Sequence, residues 1–151
     1  YGFGTYIHYI KGYLSKQTFK ESKDIQTILL EKNKSNVYVD TLISPSFTSA
    51  LAQVVQLSSI SGKENNLILL EYCDTDKDSI DDVVSNINLL HTTGYDVAIL
   101  KSSTVKIDVK EEIHIWISPS DYSNSNMMIL LAYIILGHPE WKKAKIKVFS
   151  I

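Results

Sequence analysis

Residues Ser123–Ile151 read "SNSNMMILLAYIILGHPEWKKAKIKVFSI", and the ten positions from Met127 to Leu136 are apolar except for the hydroxyl of Tyr133. A membrane span needs about 20 such residues. Here Asn124 and Asn126 precede the run, and Gly137, Pro139 and the charged "EWKK" stop it. A helix that is apolar all round but this short is a core helix. Met127–Leu136 is therefore expected to lie dry between protein layers, where burying its side chains contributes at most about 15–30 kcal/mol of transfer free energy.

Around that helix, short apolar runs alternate with helical patterns. The runs are Thr5–Ile10, Val37–Ile43, Leu67–Tyr72, Val97–Leu100, Ile113–Ile117 and Ile146–Ile151. Most are nearly continuous and rich in Ile, Val, Leu and Tyr, as strands buried on both faces of a parallel sheet are. Between them, Lys16–Asn33 opens with a capping-box pattern, Thr18 and Glu21. Phe47, Ala50, Leu51, Val54 and Leu57 fall on one helical face after "SPS". A third helix starts near Ser79 with Ile80, Val83, Val84, Ile87 and Leu90 as its stripe, and Gly94 stands where a left-handed cap suits glycine.

Strands alternating with helices imply right-handed βαβ units. The expected fold is α/β: a three-layer αβα arrangement on a mostly parallel sheet, forming one domain over residues 1–151. The polar stretch "KSSTVKIDVKEE", Lys101–Glu112, breaks the rhythm. With Val105, Ile107 and Val109 alternating, it is expected to be a loop or hairpin turning into an antiparallel strand at a sheet edge.

Composition narrows the function. The chain has 151 residues, enough for a single domain burying roughly 70% of its unfolded surface. Net charge is −2, with fifteen lysines and no arginine. Arginine grips phosphate and guanine in a bidentate fork, so its absence speaks against a nucleic-acid partner. Cys73 is alone and fits a reducing compartment. The chain opens on Tyr1 with no basic leader, and it is expected to be a piece of a longer protein.

Motifs for chemistry are thin. Asp74, Asp76 and Asp78 match the first ligands of a calcium loop, but Ser79 and Ser85 replace its glycine and its bidentate glutamate. Capping of the following helix by these carboxylates is the better reading. Gly2-Phe3-Gly4 lacks the third glycine of a dinucleotide loop, and Gly62-Lys63 lacks the rest of a phosphate loop. "SPSFTS", Ser44–Ser49, offers hydroxyls at a helix start, where they serve as caps before they serve an anion. His8, His91, His114 and His138 are scattered at no metal-ligand spacing. His114 alternates with Ile113, Ile115 and Ile117, which places it with Trp116 on the other face of its strand. No serine sits in a nucleophile elbow. No catalytic residue, cofactor or metal is expected.

Two stretches carry a resemblance. "FTSALAQVVQLSSISGKENNLILLEY", Phe47–Tyr72, and "EEIHIWISPSDYSNSNMMILLAYIILGHPEWKKAKIKVFSI", Glu111–Ile151, resemble the C-terminal domains of cation–chloride cotransporters. The second contains that family's signature as Trp141, Lys142, Lys145, Ile146, Val148 and Phe149. The resemblance implies a cytosolic regulatory domain attached to a Na–K–Cl-type or K–Cl-type carrier of the amino acid–polyamine–organocation superfamily. It further implies a fold similar to the universal stress protein, a position at the cytoplasmic face of the cell membrane, and two partners: the carrier's transmembrane domain and a second copy of the domain. The family domain normally begins with a further strand and helix upstream of Tyr1. Its long regulatory insertion is only a short polar loop here, so phosphoregulation is not carried over. The family's ion-binding residues lie in membrane helices and match nothing in this chain. Aromatic residues concentrate at interface cores. Tyr13, Leu14, Trp116, Trp141, Lys142 and Lys143 are accordingly the expected contact residues. The alternative function is nucleotide binding of the universal-stress type, near "SPSFTS" or "EYCDTD".

Overall fold

A computed structural model describes residues 4–33, 37–57, 65–73, 75, 77–105 and 107–150. The chain falls into two compact units, Tyr1–Ser103 and Thr104–Ile151.

The first unit runs β1 (Thr5–Lys11), α1 (Lys16–Lys32), β2 (Tyr38–Ser44), α2 (Phe47–Val54), β3 (Leu67–Cys73), α3 (Lys77–Thr92) and β4 (Asp96–Ser102). β1 pairs in parallel with β2, Tyr9 opposite Leu42, and β3 pairs in parallel with β4, Leu70 opposite Ile99. Side chains alternate along a strand, so Thr41 points away from the face that carries Tyr9 and Leu42. α1 covers the Thr41 face, where the Ser22 and Thr41 hydroxyls share a hydrogen bond at 2.7 Å. α2 covers the other face, with the Phe47 ring edge-on to Tyr9 at 5.7 Å. Helices on both faces are what a parallel pair requires.

Local chemistry sets the helix ends. Ser15 caps α1: its hydroxyl accepts from Thr18 N at 3.1 Å, and Thr18 Oγ1 accepts from Ser15 N at 2.9 Å. The capping box is thus Ser15–Thr18, one turn ahead of the Thr18–Glu21 pair expected from sequence. Ser46 caps α2 by accepting from Ser49 N at 3.2 Å. Beyond α3, Gly94 adopts φ +77°, a conformation that costs most residues a clash with Cβ.

The core of this unit joins Leu51 of α2, Leu70 of β3, and Val83 and Leu90 of α3, with Phe47, Ile68 and Val97 against them. The seam of α3 is narrower than the expected stripe. Val83, Asn86 and Leu90 are buried, whereas Ile80 and Val84 are exposed. A helix lying on only two strands covers one narrow line of its surface, and Val84 is rotated about 100° from Val83. Asn86 satisfies its buried amide by donating from Nδ2 to the Asp82 carbonyl at 2.7 Å.

The second unit is a single βαβ arrangement. β5 (Glu112–Ile117) leads through a 3₁₀ turn to α4 (Ser125–Leu136), then through a second turn to β6 (Lys145–Ser150). β5 and β6 are parallel, with Ile115 opposite Val148 and Trp116 opposite Phe149. The core packs Ile113, Ile115, Ala132 and Ala144 with Met128, Ile129, Leu136 and Trp141.

Two expectations are corrected here. α4 is not dry all round: Ala132 faces the core, while Leu130, Tyr133, Ile134 and Ile135 are exposed. Hydrophobicity at every position does not select a burial direction, and β5 and β6 present α4 with one layer to cover. Among the described residues no antiparallel edge strand forms either. Every strand pairing among the described residues is parallel, and Val105, Ile107 and Val109 lie exposed outside any strand. Period-two alternation assigns side chains to a face but supplies no neighbouring edge to pair with. No helix among the described residues is long and apolar enough to cross a membrane.

Candidate interaction surface

The clearest functional geometry lies on the open face of β5–β6. Alternation turns Ile113 and Ile115 into the core and leaves Glu112, His114 and Trp116 opposite them. Parallel register brings Lys145, Lys147 and Phe149 alongside these three. Trp116 stacks on Phe149 with ring centroids 4.4 Å apart and planes 16° from parallel, and His114 meets the same ring edge-on at 5.1 Å. Such contacts are worth about 0.5–1.5 kcal/mol beyond area burial. Trp116 nevertheless remains 52% exposed.

Charges close one end of this aromatic ladder. Glu112 accepts from Lys147 Nζ at 2.6 Å and lies 2.7 Å from His114 Nε2. The hydrogen bond from Lys147, followed by that from His114, holds the Glu112 carboxyl below the usual carboxylate range. An open cleft of about 420 Å³ borders this end, lined by Val109, Glu111, Glu112 and His114. Lys110 and Glu140 form an ion pair beside it, which likewise lowers the Glu140 carboxyl. Ser118 donates to Asp121 from its hydroxyl and, at 2.9 Å, from its backbone N–H, depressing that carboxyl as well.

The expected contact residues have different environments. Tyr13 and Leu14 project from the loop after β1, 79% and 76% exposed. Trp116 stands on the open sheet face. Lys142 and Lys143 are exposed in the turn that enters β6. Trp141 instead packs against the unit's core, leaving less of its ring for a partner. Tyr13 and Leu14 lie in the first unit and the other four in the second. Sequence reasoning missed Phe149 as the stacking partner of Trp116, and Glu112 as the residue that joins Lys147 to His114. Parallel pairing of the two strands in register would have found both.

The other candidates are occupied locally or fall outside the described residues. Ser46 and Ser49 bond to each other at the start of α2, and buried Ser44 accepts from Gln53 Nε2 at 3.3 Å. The carboxylate stretch after β3 includes Asp74 and Asp76, outside the described residues, as do Gly2, Phe3, Gly62 and Lys63. Among the described residues, no three His, Cys, Asp or Glu side chains converge as metal ligands. Tyr9 is different: its buried hydroxyl has no hydrogen-bond partner among the described residues, and burial, then the Asp82 charge, pushes the phenol up.

No protein-family model matches this chain, and no curated protein matches it.

Proposed function

We propose that this chain is a non-catalytic regulatory and dimerisation domain of a secondary-active, cation–chloride-cotransporter-like carrier, working at the cytoplasmic face of the membrane. The carrying observation is the exposed aromatic face of β5–β6, with Trp116 uncovered on Phe149. Large apolar side chains in water are what contact surfaces require. Tyr13 and Leu14 provide a second exposed apolar point. The role is one of contact, coupling a second copy and the transmembrane bundle through packed elements. The three-layer, universal-stress-type architecture belongs to this reading, supported within Tyr1–Ser103 by α1 and α2 on opposite faces of β1–β2.

Sedimentation equilibrium over a hundredfold range of concentration tests the role. The expected result is a monomer–dimer equilibrium weakened by Trp116→Ala. A strictly monomeric chain, together with normal assembly of a carrier lacking it, refutes the proposal. A second reading, nucleotide binding of the universal-stress type, is favoured by one observation, the Tyr9 hydroxyl on β1, which has no hydrogen-bond partner among the described residues and whose ring meets Phe47. Calorimetry with ATP and AMP separates the two: micromolar binding supports the second reading, and no heat supports the first.

A further inference from the structure

We propose that the open face of β5–β6, with the lysines leading into it, docks on an anionic lipid surface. Lys142–Ser150 contains Lys142, Lys143, Lys145 and Lys147 and no carboxylate, although the whole chain is net negative. The register places Lys145 and Lys147 on the face that carries Trp116 and Phe149. Lys142 and Lys143 are exposed in the turn just before. Glu112, the acidic residue on this face, is engaged by Lys147 and His114, so its charge and that of Lys147 offset each other and the net positive charge comes from Lys142, Lys143 and Lys145.

Lysines beside an exposed indole suit a bilayer boundary. Ammonium groups on long stems reach headgroups, and tryptophan settles at the interface with its apolar ring inward and its N–H wet. Each lysine near an anionic surface strengthens partition about fivefold. Nucleic acid is the less suitable polyanion, because the face has no guanidinium to fork onto phosphate. The membrane setting rests on the proposed function, whereas the charge and shape of the face do not.

The test is co-sedimentation of the full chain with vesicles of phosphatidylcholine alone or with about 30% phosphatidylserine. Binding is expected only with phosphatidylserine. It should disappear at 1 M salt, where charges are screened beyond about 3 Å. The Lys142→Gln/Lys143→Gln pair should weaken it about 25-fold with an unchanged circular dichroism spectrum. Trp116→Ala should weaken it further while the salt dependence persists. Equal binding to neutral vesicles, no binding at low salt, or indifference to the lysine pair overturns the inference. Tighter binding to a single-stranded oligonucleotide than to the vesicles overturns it in favour of nucleic acid. A monomer that binds these vesicles would refute the dimerisation role and leave this inference standing; a dimer that ignores them would do the reverse.

Discussion

Leu130 decides whether α4 has a free side. In the structure its side chain is 58% exposed, so roughly two-fifths of its burial is already realised. Full burial of a leucine is worth about 1.5–3 kcal/mol, and the covered share therefore contributes about 0.6–1.2 kcal/mol. Leu130→Ser should lower unfolding free energy by about 1 kcal/mol, or about 2–4 °C in Tm for a chain of this size. Leu90 provides the internal reference. It is completely buried, 0% exposed, between α3 and β3–β4, and Leu90→Ala should cost about 3–5 kcal/mol, because the removed atoms leave a cavity. Urea unfolding followed by far-UV circular dichroism measures both variants. A loss above about 3 kcal/mol for Leu130→Ser would mean that the side chain is enclosed, and the one-sided packing of α4 would be refuted.

Three further outcomes follow from local geometry. Ser15→Ala removes the hydroxyl that receives Thr18 N, and should destabilise the chain by about 1 kcal/mol in the same urea assay; no change would mean that the cap contributes nothing. Gly94→Ala forces Cβ into a left-handed conformation and should cost about 1–2 kcal/mol even though the added methyl meets no atom within 4 Å, so a neutral result would argue against the positive φ. Glu112 is depressed by its ion pairs; its contribution is present above the unfolded carboxyl value, near 4.5, and is lost as pH falls through the lower folded value. Carboxyl NMR titration should give an Glu112 midpoint below 4.5 that returns toward that value in Lys147→Gln, and an unshifted midpoint in the parent chain would disprove the pairing.

The six strands among the described residues could be located in the sequence because each is a compact run of β-branched and aliphatic residues bounded by polar turns, and the observed β1–β6 match those runs to within a residue or two. The alternation of Ile113, His114, Ile115 and Trp116 correctly assigned each side chain to a face. What alternation cannot encode is the neighbour across the ladder, so Phe149 beneath Trp116 was invisible until β5 and β6 were paired. Burial direction was hidden in α4 for the opposite reason. With no polar side to its pattern, nothing in Met127–Leu136 distinguishes Ala132, which is buried, from Leu130, which is not. On α3 the apolar stripe was wider than the seam that two strands could cover. Ser15 was overlooked as a cap because Thr18 and Glu21 fit the same spacing one turn later.

The two indoles occupy contrasting settings, Trp141 half-buried against the core of its unit and Trp116 on the open sheet. Their intrinsic emission should therefore separate by wavelength, the sheltered ring to the blue and the wet ring to the red. Replacing either one by phenylalanine turns the chain into a single-colour reporter, of its folding in one case and of whatever settles on β5–β6 in the other.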